Sequence, residues 1–515
     1  MSTRLRAAPL PALALALALV LPGGRVGAAM DGIQWFEGSV DAAFRQARSL
    51  NRPLFLYWGA SWCPPCQQLK ATVFRRPDFR QRLQQFVAVH LDGDSTDAQR
   101  WGERFGVLGY PTVILFDPRG RELARVPGGL ELEAYARILD AAASHPVPVA
   151  VVAQRALARE PLTPAGYRLL AFHSWEQDRS TVPARRRELF QWLAATAPAG
   201  DASTRARLLG LWLEAIVAAE AAPAETEMSR ARRALAEALG SAAGRAGMRS
   251  TLFFSSTSLV DLLAGGDPGR RRTLAAAWIE AATLEGEAPG LSCTERLASL
   301  LPEVELRPTG SPVAAATLER IDARVRDCAR SVQDPGERQA VIHMAVYLLE
   351  RAGQQARARA LLEAELERSA SPHYLMTGLA ELAQRSGRPE EALDWLRRAH
   401  RAARGAATRF QWGTYWVRGL TELRPGDERA IEDATLAVLE EWARAPDALF
   451  GRNRRRLSEL GEAIAAWARE GGHMASFRRI RQGFRSHCAS LPRPESGFDC
   501  AAWPAAVAGA EQQDR

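Results

Sequence analysis

Leu54-Phe55-Leu56-Tyr57-Trp58-Gly59-Ala60-Ser61-Trp62-Cys63-Pro64-Pro65-Cys66-Gln67-Gln68-Leu69 is the stretch on which the fold turns. Its first half is an apolar, aromatic run between Pro53 and Gly59, which reads as a buried strand. From Gln67 to Phe74 the residues read as a helix, so the two cysteines fall at a strand-to-helix junction. Unpaired N–H groups and the positive end of the helix dipole stabilise a thiolate at such a place. In Cys-x-x-Cys motifs at helix starts the first thiol's pKa drops from about 8.5 to values such as ~7. A second thiol one turn on can resolve a mixed disulfide, so the pattern points to dithiol exchange by Cys63 and Cys66. Pro64 and Pro65 suit a first helical turn, where a missing N–H costs little.

Two other readings of the motif are weaker. Half a zinc site needs two further Cys or His ligands in a similar knuckle, and the chain has neither a second Cys-x-x-Cys nor a closely spaced His pair. A purely structural bridge closing so short a loop is readily reduced. Segment His90 to Asp97 faintly resembles a calcium loop with Glu103 in twelfth place. Its sixth position is Asp97 rather than glycine, so a strand end followed by a helix N-cap describes it better. No phosphate-cradling glycine loop or serine-nucleophile motif appears. The expected chemistry needs no cofactor and no metal.

A second motif gives the stretch a family. Gly109-Tyr110-Pro111-Thr112-Val113-Ile114-Leu115-Phe116 enters another strand, and Asp117-Pro118-Arg119-Gly120 has the composition of a type I hairpin turn. Together, residues 31–143 resemble thioredoxins in motif type, order and spacing. They are most similar to secreted modules that open with Trp35 and an amphipathic helix from Ser39 to Leu50, and to the thioredoxin-like end module of periplasmic membrane electron-transfer reductases. The resemblance implies a cis bond before Pro111, with Pro111 lying beside the Cys63 sulfur. It also implies a Tyr110 backbone free to pair with an extended substrate peptide, and Trp62 as the apolar lip of the site. The substrates it implies are protein thiols and disulfides, served by an electron donor or acceptor that the sequence does not name. Two positions depart from the family. Tyr57 stands where a buried Asp is usual, and Ala88 stands near the place of its Lys partner, so the buried proton-transfer pair is missing.

The sequence also speaks to compartment. Arg4 and Arg6 precede an apolar stretch from Ala7 to Leu21, and Gly27-Ala28-Ala29 follows, the pattern of a secretory leader over residues 1–29. A periplasmic or secreted protein is expected. Cysteine usage agrees: of six cysteines, four lie outside the motif, and sequence proximity favours Cys293–Cys328 and Cys488–Cys500 among the pairings they allow. The net charge of +8 is carried almost wholly by Arg, since Lys70 is the only lysine. Arg270-Arg271-Arg272 and Arg454-Arg455-Arg456 lack interleaved aromatics, so the charge reads as solvated helix faces rather than a nucleic-acid surface. A positive surface of this kind is compatible with weak contact with anionic membranes.

Beyond a linker at 144–148, strand signals nearly vanish. Gly353 and Gly387, Ala358 and Ala392, and Leu362 and Leu396 recur at an offset of thirty-four residues, in units of helix, glycine turn and helix. These units resemble tetratricopeptide repeats, and such units bury their apolar stripes only by stacking on neighbours. The expected architecture is therefore an α/β thioredoxin fold at 30–145 followed by an all-α, tetratricopeptide-like helical part, with helices of no recognised period at 146–335 and the repeat-like region at 336–515. The second part is expected to stand apart from the first. Trp395, Trp412, Tyr415 and Trp416 lie at helical spacing and read as core more readily than as the lining of a concave surface. His343, His373 and His400 are scattered and read as surface or satisfied residues rather than metal ligands. Two functions fit this sequence. One is an exported oxidoreductase, more reducing than oxidising, whose helices recruit substrate or partner. The other is a binding or assembly protein that uses the thioredoxin-like part only for docking.

Overall fold

The protein is described here by a computed structural model, which covers residues 32–504 except 127–131, 145, 179, 220–222, 309 and 495–496. The leader read in residues 1–29 lies outside the described residues.

Helix α1 (Val40–Leu50) begins at Ser39, whose Oγ accepts the Ala42 N–H at 3.2 Å, and ends at Asn51 in the left-handed conformation. It leads into β1 (Leu54–Gly59), α2 (Pro64–Leu69) with a π-helical turn over Lys70–Phe74, and α3 (Pro77–Leu83). Then come β2 (Val87–Asp92), α4 (Thr96–Arg104), β3 (Thr112–Phe116), β4 (Glu122–Val126) and α5 (Leu132–Ser144). The strands form one sheet in the order β2-β1-β3-β4, with β1 parallel to β2 and the other pairs antiparallel. All six residues of β1 are buried, as a central strand covered on both faces requires. This is the small mixed sheet with flanking helices expected of the first part.

After α5 every regular element is helical among the described residues. The thirty-four-residue offset is visible in the backbone. Gly353 (φ 74°) and Gly387 (φ 69°) adopt left-handed turns between Pro335–Arg351 and Gln355–Glu365 and between Pro372–Arg385 and Pro389–Ala402. Ala358 and Ala392 are fully buried just beyond those turns, where a larger side chain would hold the helices apart. Both expected bridges are present, Cys293–Cys328 and Cys488–Cys500. The second pins the irregular C-terminal segment. Replacing Cys488 and Cys500 by serine is expected to cost on the order of 3 kcal/mol, from the entropy of closing a loop of this length, measured as a shift in the denaturation midpoint.

The expectation that the helices stand apart is not met. One continuous apolar core runs from Phe55, Tyr57 and Leu69 of the sheet layer through Leu170 and Trp278 to Leu348 and Trp395. Helix Pro335–Arg351 packs on α2, Pro164–Phe172 on α5, and Gly451–Gly471 on α4. The edge strand β4 is closed by the segment after Pro164–Phe172: the Arg125 N–H donates to His173 Nδ1 at 3.1 Å, and the Ser174 N–H donates to the Arg125 carbonyl. An uncovered edge is a hazard for any sheet, and covering it ties the two parts together.

His173 is wholly buried and faces Asp178 Oδ2 at 3.0 Å through Nε2. Burial lowers its pKa from 6.5 against the raising effect of Asp178. Burial likewise lowers His90, helped by Lys70, to about 4. The unfolded chain therefore binds more protons than the folded one below the ordinary histidine pKa, and stability is lost as pH falls through that value. A thermal midpoint that declines steadily from about pH 6.5 to pH 4 is expected. A flat profile over that window would contradict it.

Candidate active site

Cys63 occupies the N-cap position of α2, with φ −84° and ψ 111°, and Pro64 and Pro65 fill the first turn. The Cys66 N–H donates to Cys63 Sγ at 3.2 Å, the contact that stabilises charge on this sulfur. The two cysteines form a disulfide with their Cα atoms 5.2 Å apart. Tyr110–Pro111 is cis, and the Tyr110 carbonyl oxygen lies 3.5 Å from Cys63 Sγ. Trp62 and Tyr110 pack against the cysteine pair. The structure thus gathers all five residues singled out from the sequence: Trp62, Cys63, Cys66, Tyr110 and Pro111.

The place of the missing buried carboxylate is taken by an aromatic pair. Tyr57 stacks on His90, with ring centroids 5.0 Å apart and an interplanar angle of 18°, and His90 is its neighbour across β2. Ala88 pairs with Phe55, two residues back along the ladder. His90 carried no sequence signal, because alternation along β2 identified only its strand.

Accessibility differs from expectation. Cys63 is 3% exposed and Cys66 0%, so the order is as expected, but neither sulfur faces open solvent. The cover comes from the helical part. Gln339 Nε2 donates to the Trp62 carbonyl at 2.5 Å, and Trp62 Nε1 donates to Thr408 Oγ1 at 2.8 Å. The Trp62 ring meets Trp412 edge-on at 5.0 Å and stacks towards Tyr374 at 6.4 Å. Trp62 is therefore a joint between the two parts rather than a free lip. Asp94 accepts from the Thr408 N–H and Oγ1, both at 2.7 Å, and from Arg452 Nη2 at 3.2 Å. Glu103 accepts from the Gly451 N–H and pairs with Arg454, so two acids of the calcium-like segment, Asp94 and Glu103, hold the helical part. On the other flank, Arg75 pairs with Asp334 at 2.5 Å, Thr294 Oγ1 donates to Gln68 Oε1 at 2.6 Å, and Gln177 Nε2 donates to the Pro111 carbonyl at 2.9 Å.

Two cavities remain beside the motif. One of about 670 Å³ is bounded by Trp62 and Tyr110 on one side and by Tyr374, Trp412 and Tyr415 on the other. One of about 420 Å³ touches Pro64, Pro65 and Gln68, and His343 lines both. Trp412 and Tyr415 thus line a concave surface after all, although Trp412 is almost fully buried, while Trp416 packs against the C-terminal core and Trp395 belongs to the continuous core. His400 contacts Glu441 at 3.1 Å, whereas His373 is buried edge-on against Trp412 and its Nε2 has no hydrogen-bond partner among the described residues. Gln339, Thr408 and Arg452 lie hundreds of residues from the motif, and nothing in the sequence linked them to it.

The sequence profile of the Thioredoxin-like domain family matches residues 40–143. The chain is similar to thiol:disulfide interchange protein DsbD 1 of Pseudomonas aeruginosa, with 32% identity over 109 residues, covering 20% of this chain and 18% of that protein. It is similar to the DsbD proteins of Ralstonia nicotianae, 31% over 99 residues (19% of this chain, 16% of that protein), and Actinobacillus pleuropneumoniae, 33% over 91 residues (17% and 16%). The chain therefore spans less than a fifth of the length of these curated relatives. A solved structure titled DsbH oxidoreductase shares 19% identity, covering 24% of this chain and 95% of that chain, at a TM-score of 0.20. Among the described residues no helix is long and apolar enough to cross a membrane. With its sheet order, its cysteine pair at the start of α2 and the cis Tyr110–Pro111 bond, the segment 40–143 is a thioredoxin-like domain set within a largely helical chain.

Proposed function

We propose that this protein is an exported thiol–disulfide oxidoreductase acting on protein thiols and disulfides through Cys63 and Cys66, in the reducing direction. The observation that carries the reading is the cysteine pair at a helix N-terminus with the Tyr110 carbonyl 3.5 Å from its first sulfur. In this reading Pro111 shapes the wall beside Cys63, and Trp62 and Tyr110 contact substrate. Residues 146–335 and the tetratricopeptide-like residues 336–515 recruit the substrate or the redox partner to the domain at 30–145, behind a leader at 1–29. The names of the DsbD relatives, thiol:disulfide interchange proteins, support it. The site of action is the periplasm or the exterior, with at most weak membrane-surface contact. Equilibrating the Cys63–Cys66 pair against glutathione or dithiothreitol buffers tests the direction. A potential near about −270 mV fits a reductant, and one near about −120 mV would reverse the assignment.

The near-complete burial of both sulfurs favours a second reading, in which the thioredoxin-like part is a docking module of a binding or assembly protein. Insulin reduction by the full chain separates the two. Turnover supports the oxidoreductase; its absence, with a disulfide that still equilibrates slowly with buffer, supports the docking role.

A further inference from the structure

The 670 Å³ cavity has a charged end beside the motif. Arg452, on helix Gly451–Gly471, is 6% exposed and lies between two rings, its guanidinium carbon 5.3 Å from the Trp62 centroid and 5.3 Å from that of Tyr110. Its Nη2 is used by Asp94, Gly93 and Thr408, but its Nε and Nη1 have no hydrogen-bond partner among the described residues. A buried N–H of a charged group left unmet is costly, and an incoming acceptor relieves that cost. Arg455, one turn on, also lines the cavity and donates to the Val107 carbonyl at 3.4 Å. Burial first, and then its neighbours Arg456 and Arg452, depress its pKa, with Glu459 and Tyr110 opposing. Arg456 is already paired with Glu459. The acids that line the cavity are Glu350, Glu381 and Glu422, of which Glu350 pairs with Arg385 and Glu422 with Arg418. Glu350 lies on the helix that touches Trp62 through Gln339, eleven residues further along, or roughly 16 Å at the helical rise.

We infer that this end of the cavity is a carboxylate subsite, in which Arg452 and Arg455 hold the carboxylate of a cysteine-bearing peptide while that cysteine's sulfur exchanges with Cys63. The inference rests on the oxidoreductase reading above and names its substrate class. Trp62 and Tyr110 both line this cavity and pack against the cysteine pair, which places the arginines' end of the cavity next to the motif. In the reduced protein the Cys63 thiolate attacks one sulfur of a peptide disulfide. The peptide S–S bond breaks, a Cys63–peptide disulfide forms, and the departing thiolate takes up a proton. Cys66, having lost its proton, attacks the Cys63 sulfur and restores the Cys63–Cys66 bond, and the second peptide thiolate leaves and is protonated. Two electrons pass from the protein dithiol to the peptide disulfide, and a dithiol donor restores the protein.

The test uses the full chain, reduced, at 0.15 M salt. Second-order exchange rates are measured with disulfide dimers of end-capped Ala-Cys-Asp-Ala and Ala-Cys-Asn-Ala, and with glutathione disulfide as the small-molecule source of carboxylate. The Asp peptide is expected to react at least about tenfold faster than the Asn peptide, as a charge-assisted contact implies. Arg455→Gln is expected to bring that ratio close to one, and Arg452→Gln to lower it. A parallel loss with glutathione disulfide in Arg455→Gln assigns small peptide thiols to the site; loss confined to the Asp peptide assigns polypeptide. Equal rates for the two peptides, with no change towards glutathione disulfide in Arg455→Gln, overturn the subsite. So does a preference that survives both substitutions. Binding of the Cys→Ser versions of the peptides to the oxidised protein keeps the two readings apart. An Asp preference in binding without any exchange sinks the oxidoreductase alone, whereas exchange without preference sinks the subsite alone.

Discussion

Replacing Cys63 with serine is expected to reduce disulfide exchange to the uncatalysed level, a loss of about three orders of magnitude or more. The attacking species is a thiolate, and a serine hydroxyl in the same N-cap position stays protonated at neutral pH. Cys66→Ala is expected to have a different signature. Cys63 then attacks but nothing resolves the product, so mixed disulfides accumulate through Cys63 and are recovered on non-reducing gels. The geometry supports these unequal roles: Cys63 receives the Cys66 N–H at 3.2 Å, while Cys66 lies one turn inside and fully buried. Trapping through Cys66 in a Cys63→Ala variant, with none through Cys63 in the Cys66→Ala variant, would reverse them.

The second large effect concerns the thioredoxin-like part by itself. Residues 30–145 read from the sequence as a part standing alone, yet their core is continuous with the helices. Its edge strand β4 is closed by His173 and Ser174, and its α2 face by helix Pro335–Arg351. Expressed alone, residues 30–145 are expected to lose several kcal/mol of stability relative to the full chain, since each large apolar side chain newly exposed costs about 1.5–3 kcal/mol. That is a large part of the ~5–15 kcal/mol typical of a folded domain. The free β4 edge adds a tendency to associate. Chemical denaturation and light scattering of the fragment beside the full chain measure both. A fragment as stable and monodisperse as the full chain would show that the shared core is incidental.

The cysteine pair, the sheet and the repeat offset were legible because each is written locally. An apolar run between Pro53 and Gly59 makes a strand, prolines after Cys63 start a helix, and glycines at 353 and 387 stop one. Periodicity and turn chemistry act over a few residues, and the backbone obeys them in any tertiary setting. Proximity along the chain favoured the pairing of Cys293 with Cys328 and of Cys488 with Cys500, and the structure has both. His90 was not legible as the partner of Tyr57, because which residues meet across two parallel strands depends on register, and register is fixed only when the sheet closes.

The sequence by itself determined what chemistry is available: a dithiol at a helix start beside a proline-bearing strand entry, with four further cysteines whose pairing proximity favoured and the structure fixed. Only the tertiary structure decided where that chemistry happens. Gln339, Thr408 and Arg452 reach Trp62 and Tyr110 across 277, 346 and 342 residues of chain respectively. No short-range pattern records such meetings, because they arise from whole helices burying their apolar stripes on the sheet layer and carrying polar side chains with them. The same packing closes the solvent face of Cys63 and leaves a cavity with unmet arginine N–H groups beside it.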